Sequence, residues 1–339
     1  MKEKLVNIIK YVFFLGMGVG ITIYLFKDLK VEEIWQEAKT MDYSFFIYSS
    51  LFSLVAHFVR AARWSILIRS VGYQPRIWNV FSSVMTMNLF NILIPRSGEV
   101  VRCGTIYKYE KIPVKNLLGT VVVERLIDLL SLIILTIVLV VINFPLMQTL
   151  YYKSSMPDLV NDLLNKKWLI FLVLAFGVLT VLLAIIFRKK LLKLSVFQKL
   201  GKTLADSKVG LIKMWKTKEK PMFLFHTILL WAMYLGMLYI NVFAYEPTKH
   251  LGFLAGFTLL VSGSYGMVAP TNGGVGAWHA MALLGFSAFG IIGNSAAAIV
   301  NVMFLTVTAG VAVHGIIALV LTPYFNKKYP LKETPNTNN

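Results

Sequence analysis

Three short groups of charged residues in this sequence sit within or beside apolar runs, where charge is costly. Arg60 and Arg63 are spaced i,i+3 with Trp64 beside them, at the end of the apolar run Tyr43–Val59. Arginine offers a planar fork of donors for phosphate oxygens. The same pair also reads as plain cytoplasmic anchoring beside an interfacial Trp. Pro95 suits the first turn of a helix, since its missing N–H is not needed there. On a helix starting at Pro95, Arg96, Glu99 and Arg102 form one stripe, an acid between two bases. The free N–H groups around Ser97 and Gly98 and the helix dipole both favour an anion nearby. At membrane depth such charges are functional by default; in a cytoplasmic loop they are merely solvated. Glu124, Arg125 and Asp128 interrupt the apolar helix Leu117–Phe144. Glu124 and Asp128 share a face at i,i+4, and Arg125 reaches Asp128 at i,i+3. A network facing the bundle interior, opposed to Arg96 and Arg102, accommodates them, as a structural clamp or as a proton carrier. Further on, Asn272, Gly273, Gly274 and Gly276 give a bend open to close backbone approach. Trp278 and His279 follow, and His279 is either a packing residue or part of the site.

The elements that carry these groups follow from composition. Of 339 residues, 57% are apolar and 15% charged, and mean hydropathy is +0.68. Soluble domains carry about 25% charged residues, so a soluble protein is excluded. The 34 Lys and Arg against 16 Asp and Glu give a net charge of +18. In a membrane chain that excess implies cytoplasmic loops and anionic lipid, and no nucleic-acid fold accompanies it. With one cysteine, Cys103, there is no intrachain disulfide. The five histidines are scattered, so no metal site is expected. Walker, HExxH, GxSxG and dinucleotide fingerprints are absent; no cofactor and no catalytic residue are assigned.

The first run, Leu5–Phe26, is too long for a signal peptide core and lacks an A-x-A site, so it reads as a retained helix. Lys27–Asp42 reads as a short interfacial helix. Further spans are Tyr43–Val59, Leu117–Phe144, Trp168–Phe187 and Pro221–Phe243, with Ile77–Ile94, Leu251–Ala269, Ala277–Ile292 and Ser295–Leu321 also apolar. Arg188–Lys220 holds eleven Lys and Arg against two acids, a net of +9, which fixes it in the cytoplasm. Arg60–Arg76, with four arginines and no acid, belongs there too. Parity then matters. If Ile77–Ile94 crosses fully, Trp168–Phe187 delivers the +9 loop to the outside. If that segment instead dips in and returns at the Pro95–Gly98 break, the conflict disappears. Non-helical backbone at that depth needs a protein or wet-cavity lining. The second half repeats the theme: Pro270-x-x-Gly273-x-Val275 matches Pro95-x-x-Gly98-x-Val100. Breaks at corresponding places in two halves point to a transporter site.

The expected fold is therefore an all-α, polytopic membrane helix bundle. It has about six full spans plus two broken or re-entrant helical hairpins, about 77–116 and 251–292, related by a pseudo-repeat. Residues 1–325 form one transmembrane domain with a cytoplasmic N-terminus, and 326–339 a disordered cytoplasmic tail.

Four motifs in this order, Arg60-Ala-Ala-Arg63-Trp64, Asn91-Ile-Leu-Ile-Pro95-Arg96-Ser-Gly98-Glu99-Val-Val-Arg102, Glu124-Arg125-Leu-Ile-Asp128 and Pro270-Thr-Asn-Gly273-Gly274-Val-Gly276-Ala, resemble the lysylphosphatidylglycerol synthase transmembrane-region family of flippase-like proteins. The likeness covers roughly residues 5–322. It implies kinship with the membrane half of the multiple peptide resistance factor, which moves aminoacylated phosphatidylglycerol between leaflets. The soluble synthase domain has no counterpart in these 339 residues, so lipid synthesis is not expected. Stand-alone relatives handle polyprenyl-phosphate sugars, hopanoids or cardiolipin-related lipids, so the resemblance leaves the substrate open. The expectation is an inner-membrane transporter of an anionic or aminoacylated phospholipid or polyprenyl-phosphate lipid. Arg60, Arg63, Arg96, Glu99, Arg102, Glu124, Arg125, Asp128, Asn272, Gly273, Gly274 and His279 would hold its headgroup, with proton or ion coupling in place of a nucleotide. The alternative is a membrane glycosyltransferase-like enzyme acting on a polyprenyl-phosphate-linked sugar.

Overall fold

A computed structural model describes residues 16–27, 29–94, 96–144, 218–269 and 271–330. The span Trp168–Phe187 and most of the +9 loop lie outside the described residues. The described chain is all-helical. In order, the helices are α1 (Gly16–Phe26), α2 (Val31–Lys39), α3 (Tyr43–Ser70), α4 (Ile77–Leu93), α5 (Gly98–Glu110), α6 (Val114–Ile142), α7 (Lys220–Ile240), α8 (Phe253–Val268), α9 (Ala277–Ser287) and α10 (Gly293–Lys328). Among them, α3, α6, α7 and α10 are long and apolar enough to cross a membrane. The 28 residues of α3 span about 42 Å, more than the roughly 30 Å of a hydrocarbon core.

Side-chain and backbone bonds sort the helix ends into two faces of the bundle. On one face, Arg69 at the end of α3 clasps Glu219 beside the start of α7, with contacts of 2.5 and 3.0 Å. Arg76, just before α4, donates to Glu110 at the end of α5 (2.8 Å) and to Asn326 near the end of α10 (2.7 Å). On the opposite face, Asp42 N–H donates to Ala244 O at 2.8 Å. Tyr245 bonds Glu37 of α2, and Asn294 at the start of α10 donates to Glu33. Asp42 also caps α3 by accepting from Ser44 N–H at 3.0 Å, and bonds to Ser44 hold its carboxyl below the usual carboxylate range. The α4–α5 hairpin thus starts and ends on the first face, and α8–α9 starts and ends on the second.

The two hairpins meet tip to tip. Asn272 Nδ2 donates to Leu93 O, and Arg96 Nη2 donates to Val268 O, each at 3.3 Å. The second tip can come this close because its backbone is left-handed at Gly273, Gly274 and Gly276, a region that side chains penalise. A Cβ on Gly276 would meet Gly18 O of α1 at 2.5 Å. Each hairpin has its own apolar cluster. One gathers α3, α4, α5 and the start of α6 around Trp64, Ile68, Val84 and Ile106. The other gathers α8, α9 and α10 around Phe257, Trp278, Phe286 and Ile299.

Three details depart from the sequence expectations. Arg60 and Arg63 lie well inside α3, which runs on to Ser70, instead of at its end, because carboxylates from α6 neutralise them. The helix after the first break starts at Gly98, with Ser97 ahead of it. Arg96 therefore sits off that helix with φ 59, and the three-residue stripe reduces to Glu99 and Arg102. The turn is made by side chains: Asn91 Oδ1 accepts from Gly98 N–H at 2.8 Å, and Ser97 Oγ donates to Phe90 O at 3.1 Å. Finally, the domain boundary drawn at 325 falls within α10, which runs through Lys328. Asn326 is tied by mutual bonds with Asn79 (2.8 and 2.9 Å).

Candidate functional site: a buried arginine–carboxylate cluster

Glu124 lies ten residues after the start of α6, and Arg60 ten before the end of α3. Both positions are about 15 Å from the same face of the bundle. Glu124 is fully buried and gathers arginines from two other helices. Arg60 Nε donates to its Oε1 at 2.8 Å, Arg63 Nη2 lies 3.5 Å from the same oxygen, and Arg102 Nη1 lies 2.7 Å from Oε2. Arg63 Nη2 also donates to Asp128 Oδ1 at 2.6 Å. Arg125 forms the outer rim, 3.4 Å from Glu124, 3.6 Å from Asp128 and 3.8 Å from Glu99. Its side chain is 42% exposed, whereas those of Arg63 and Arg102 are 0% exposed. Among the described residues, four arginines face three carboxylates, an excess of one positive charge.

A buried charge is tolerated only when paired and hydrogen-bonded. Glu124 meets that condition at Oε1, whereas its Oε2 and Arg102 Nη1 face each other at 2.7 Å as an ion pair without a hydrogen bond, and the arginines meet it only in part. Arg63 Nε and Nη1, and Arg102 Nε and Nη2, are buried with no hydrogen-bond partner among the described residues. Arg102 is nevertheless held rigidly. Its guanidinium stacks over the Trp64 ring at 4.4 Å, and Trp64 Nε1 donates to Thr120 Oγ1 at 2.9 Å. A stacked guanidinium with donors left over has the shape and charge to receive an oxyanion.

The cluster therefore unites Arg60, Arg63, Glu99, Arg102, Glu124, Arg125 and Asp128 of the residues expected from sequence. It does not include Arg96, Asn272, Gly273 and Gly274, which build the contact between the hairpin tips, about one turn of α5 away. His279 stands apart too, against Phe304 (4.4 Å between ring centroids), Trp278 and Phe26. Sequence reasoning missed the role of Trp64 as a platform for Arg102, and of Thr120 and Asn91 in holding the platform and the turn. Asn79, Asn88 and Asn91 recur in one apolar run, and that was the available signal. Asn88 Nδ2 lies 3.2 Å from His57 Nδ1 and 3.3 Å from Nε2, and Ser53 Oγ lies 3.3 Å from Nε2. Among the described residues, no group of three or more metal-ligating side chains comes together.

The family model described as the lysylphosphatidylglycerol synthase TM region matches residues 7–328. The chain belongs to this family. It is a multi-pass membrane protein, and the family assigns it a lipid-related role. A UPF0104 membrane protein of Methanocaldococcus jannaschii is 31% identical over 85 residues, which is 24% of this chain and 25% of that protein. The match thus spans a quarter of the relative's length. No solved structure matches the chain. The family match covers every helix that builds the arginine–carboxylate cluster and both hairpins.

Proposed function

We propose that this member of the lysylphosphatidylglycerol synthase TM region family moves an anionic lipid between leaflets of a bacterial-type inner membrane. The phosphate of the headgroup binds Arg102 and Arg63. The carrying observation is Arg102: fully buried, stacked on Trp64, and with donors left free. Arg60 and Glu124 set the field, and the one excess positive charge is balanced when a monoanionic headgroup arrives. Acyl chains stay in the bilayer. In this reading α4–α5 is re-entrant from the cytoplasm and α8–α9 from the outside. The bonds beside each hairpin's two ends support it, Arg76 to Glu110 for the first and Tyr245 to Glu37 with Asn294 to Glu33 for the second, as does the +9 of Arg188–Lys220. The N-terminus is then cytoplasmic. No nucleotide-binding motif occurs, so transport is downhill or ion-coupled.

The transferase alternative requires a carboxylate free to accept a proton. Glu124 has four arginines within 3.5 Å and Asp128 has Arg63 at 2.6 Å. That arrangement favours headgroup binding over general base chemistry. The test is transbilayer movement of labelled phosphatidylglycerol in vesicles containing the purified protein. Movement should depend on the protein and fall at least about tenfold in Arg102→Ala and Arg102→Lys, since lysine keeps the charge but loses the planar fork. Equal rates in folded wild type, Arg102→Ala and Glu124→Gln would overturn the mechanism. Product formed from a lipid-linked sugar would instead establish the transferase.

A further inference from the structure

Arg102 and Glu124 have no exposed surface, so a headgroup cannot reach them in the conformation seen. One of the elements around them has to move. Arg60 and Arg63 ride on α3 and Glu124 on α6, both long enough to span a membrane. Arg102 rides on α5, which has only 13 residues. The backbone marks the same helix. Among the described residues, the non-glycine positions with left-handed backbone are Arg96 (φ 59) and Lys111 (φ 56), one just before α5 and one just after it. Each conformation is strained for a residue that bears a side chain. Lys111 is also the C-terminal cap of α5, where glycine is the usual residue.

The attachments of α5 differ at its two ends. Its base is anchored through Glu110, which Arg76 and Asn79 both bond, with Asn326 of α10 completing the node. Its tip is held by three lighter bonds: Asn91 to Gly98 N–H, Ser97 to Phe90 O, and Arg96 to Val268 O. The tip carries Glu99 and, one turn on, Arg102. Tipping α5 away from α6 about Lys111 would break the Arg102–Glu124 and Glu99–Arg125 contacts together with the Arg102–Trp64 stack, and open the cluster at the Arg125 rim.

We propose that α5 is the gate of the site, a helix that pivots at the Arg96 and Lys111 junctions and exposes Arg102 when its tip bonds release. This rests on the reading of the cluster as a headgroup site, but its motion has a readout of its own. Cys103, the one cysteine of the sequence, is buried on α5 next to Arg102. Its alkylation by a small maleimide therefore reports opening.

The experiment measures Cys103 alkylation in the purified protein in lipid nanodiscs, wild type against Asn91→Ala, with Ser97→Ala as a second variant should the first fail to fold. Loss of one tip bond should speed alkylation roughly fivefold, at conditions where thermal unfolding is not yet detectable. Nanodiscs of phosphatidylglycerol should change the rate by several-fold relative to phosphatidylcholine. Alkylation equally slow in wild type and in a folded tip variant, or occurring only along with global unfolding, would overturn the gate. Lipid retained by the same samples is read by mass spectrometry to separate the two ideas. Retention that needs Arg102 while Cys103 exposure never changes refutes the gate and keeps the site. Faster alkylation in the tip variants with no Arg102-dependent retention keeps the gate and refutes the site.

Discussion

The two hairpins share a backbone plan and divide the labour. Each is two helices broken at a Pro-x-x-Gly-x-Val segment, and each returns to the face it started from. The first is turned by side chains, Asn91 and Ser97, and places Glu99 and Arg102 beside Glu124 and Arg125 of α6. The second is turned by glycines and carries no Lys, Arg, Asp or Glu between Phe253 and Ser287. Its helices are clamped by size alone. Gly263 and Gly266 of α8 leave room for Trp278, and Gly285 of α9 leaves room for Ser262. One break positions charge against α6; the other is uncharged and held by close packing.

The largest test of that division is Glu124→Ala. Removing the common partner of three buried arginines should cost about 3–5 kcal/mol, seen as a large fall in thermal unfolding temperature. A loss under about 1 kcal/mol would mean that the arginines are solvated and the first hairpin is not a charge carrier. Next comes Gly266→Ala in the second hairpin. Its Cβ would sit 2.7 Å from Trp278 Cα and 2.8 Å from Ala277 O. Backbone cannot step aside cheaply, so a loss of about 1–3 kcal/mol is expected, without loss of Arg102-dependent lipid retention in protein that folds.

How far these residues could be read without a structure follows the same division. The charges in apolar runs and the two Pro–Gly breaks were visible because composition punishes them: Glu124 in an apolar helix needs a reason wherever it points. What stayed hidden is pairing. Nothing in local spacing shows that Arg102 on α5 would meet Glu124 on α6, or that Trp64 would lie under Arg102 instead of in an interfacial belt. Those contacts are made between helices, and helical periodicity is silent on rotation about the axis. The end of the second span was misplaced at Val59 for a related reason. Arg60 looks like a terminus until its carboxylate is known. Proline's preference for first turns places the start of α5 at Pro95, whereas the side chains of Asn91 and Ser97 hold the turn so that α5 starts at Gly98.

Two milder changes sharpen the contrast. Gly104, within α5, has open space where a Cβ would go. Gly104→Ala should therefore raise stability by up to about 1 kcal/mol through helix propensity, the reverse of Gly266→Ala. Smallest of all is Arg96→Ala, which removes one exposed bond of 3.3 Å to the opposite tip. It should change the unfolding free energy by less than about 1 kcal/mol and leave lipid retention intact, whereas Arg102→Ala abolishes retention. Equal loss in the two variants would move the binding site from the buried cluster to the tips.

The meeting of the tips has an electrical consequence. If the hairpins enter from opposite faces as proposed and α5 opens, the low-dielectric barrier between the two sides would thin to the seam where Asn272 touches Leu93 and Arg96 touches Val268. Arg102 lies on the cytoplasmic side of that seam in the proposed orientation. A membrane potential would then fall mostly across a few ångströms of loop backbone. A monoanionic headgroup leaving Arg102 for the far side would cross most of that drop, worth about 2.3 kcal/mol per 100 mV, while a zwitterionic headgroup would cross it unopposed.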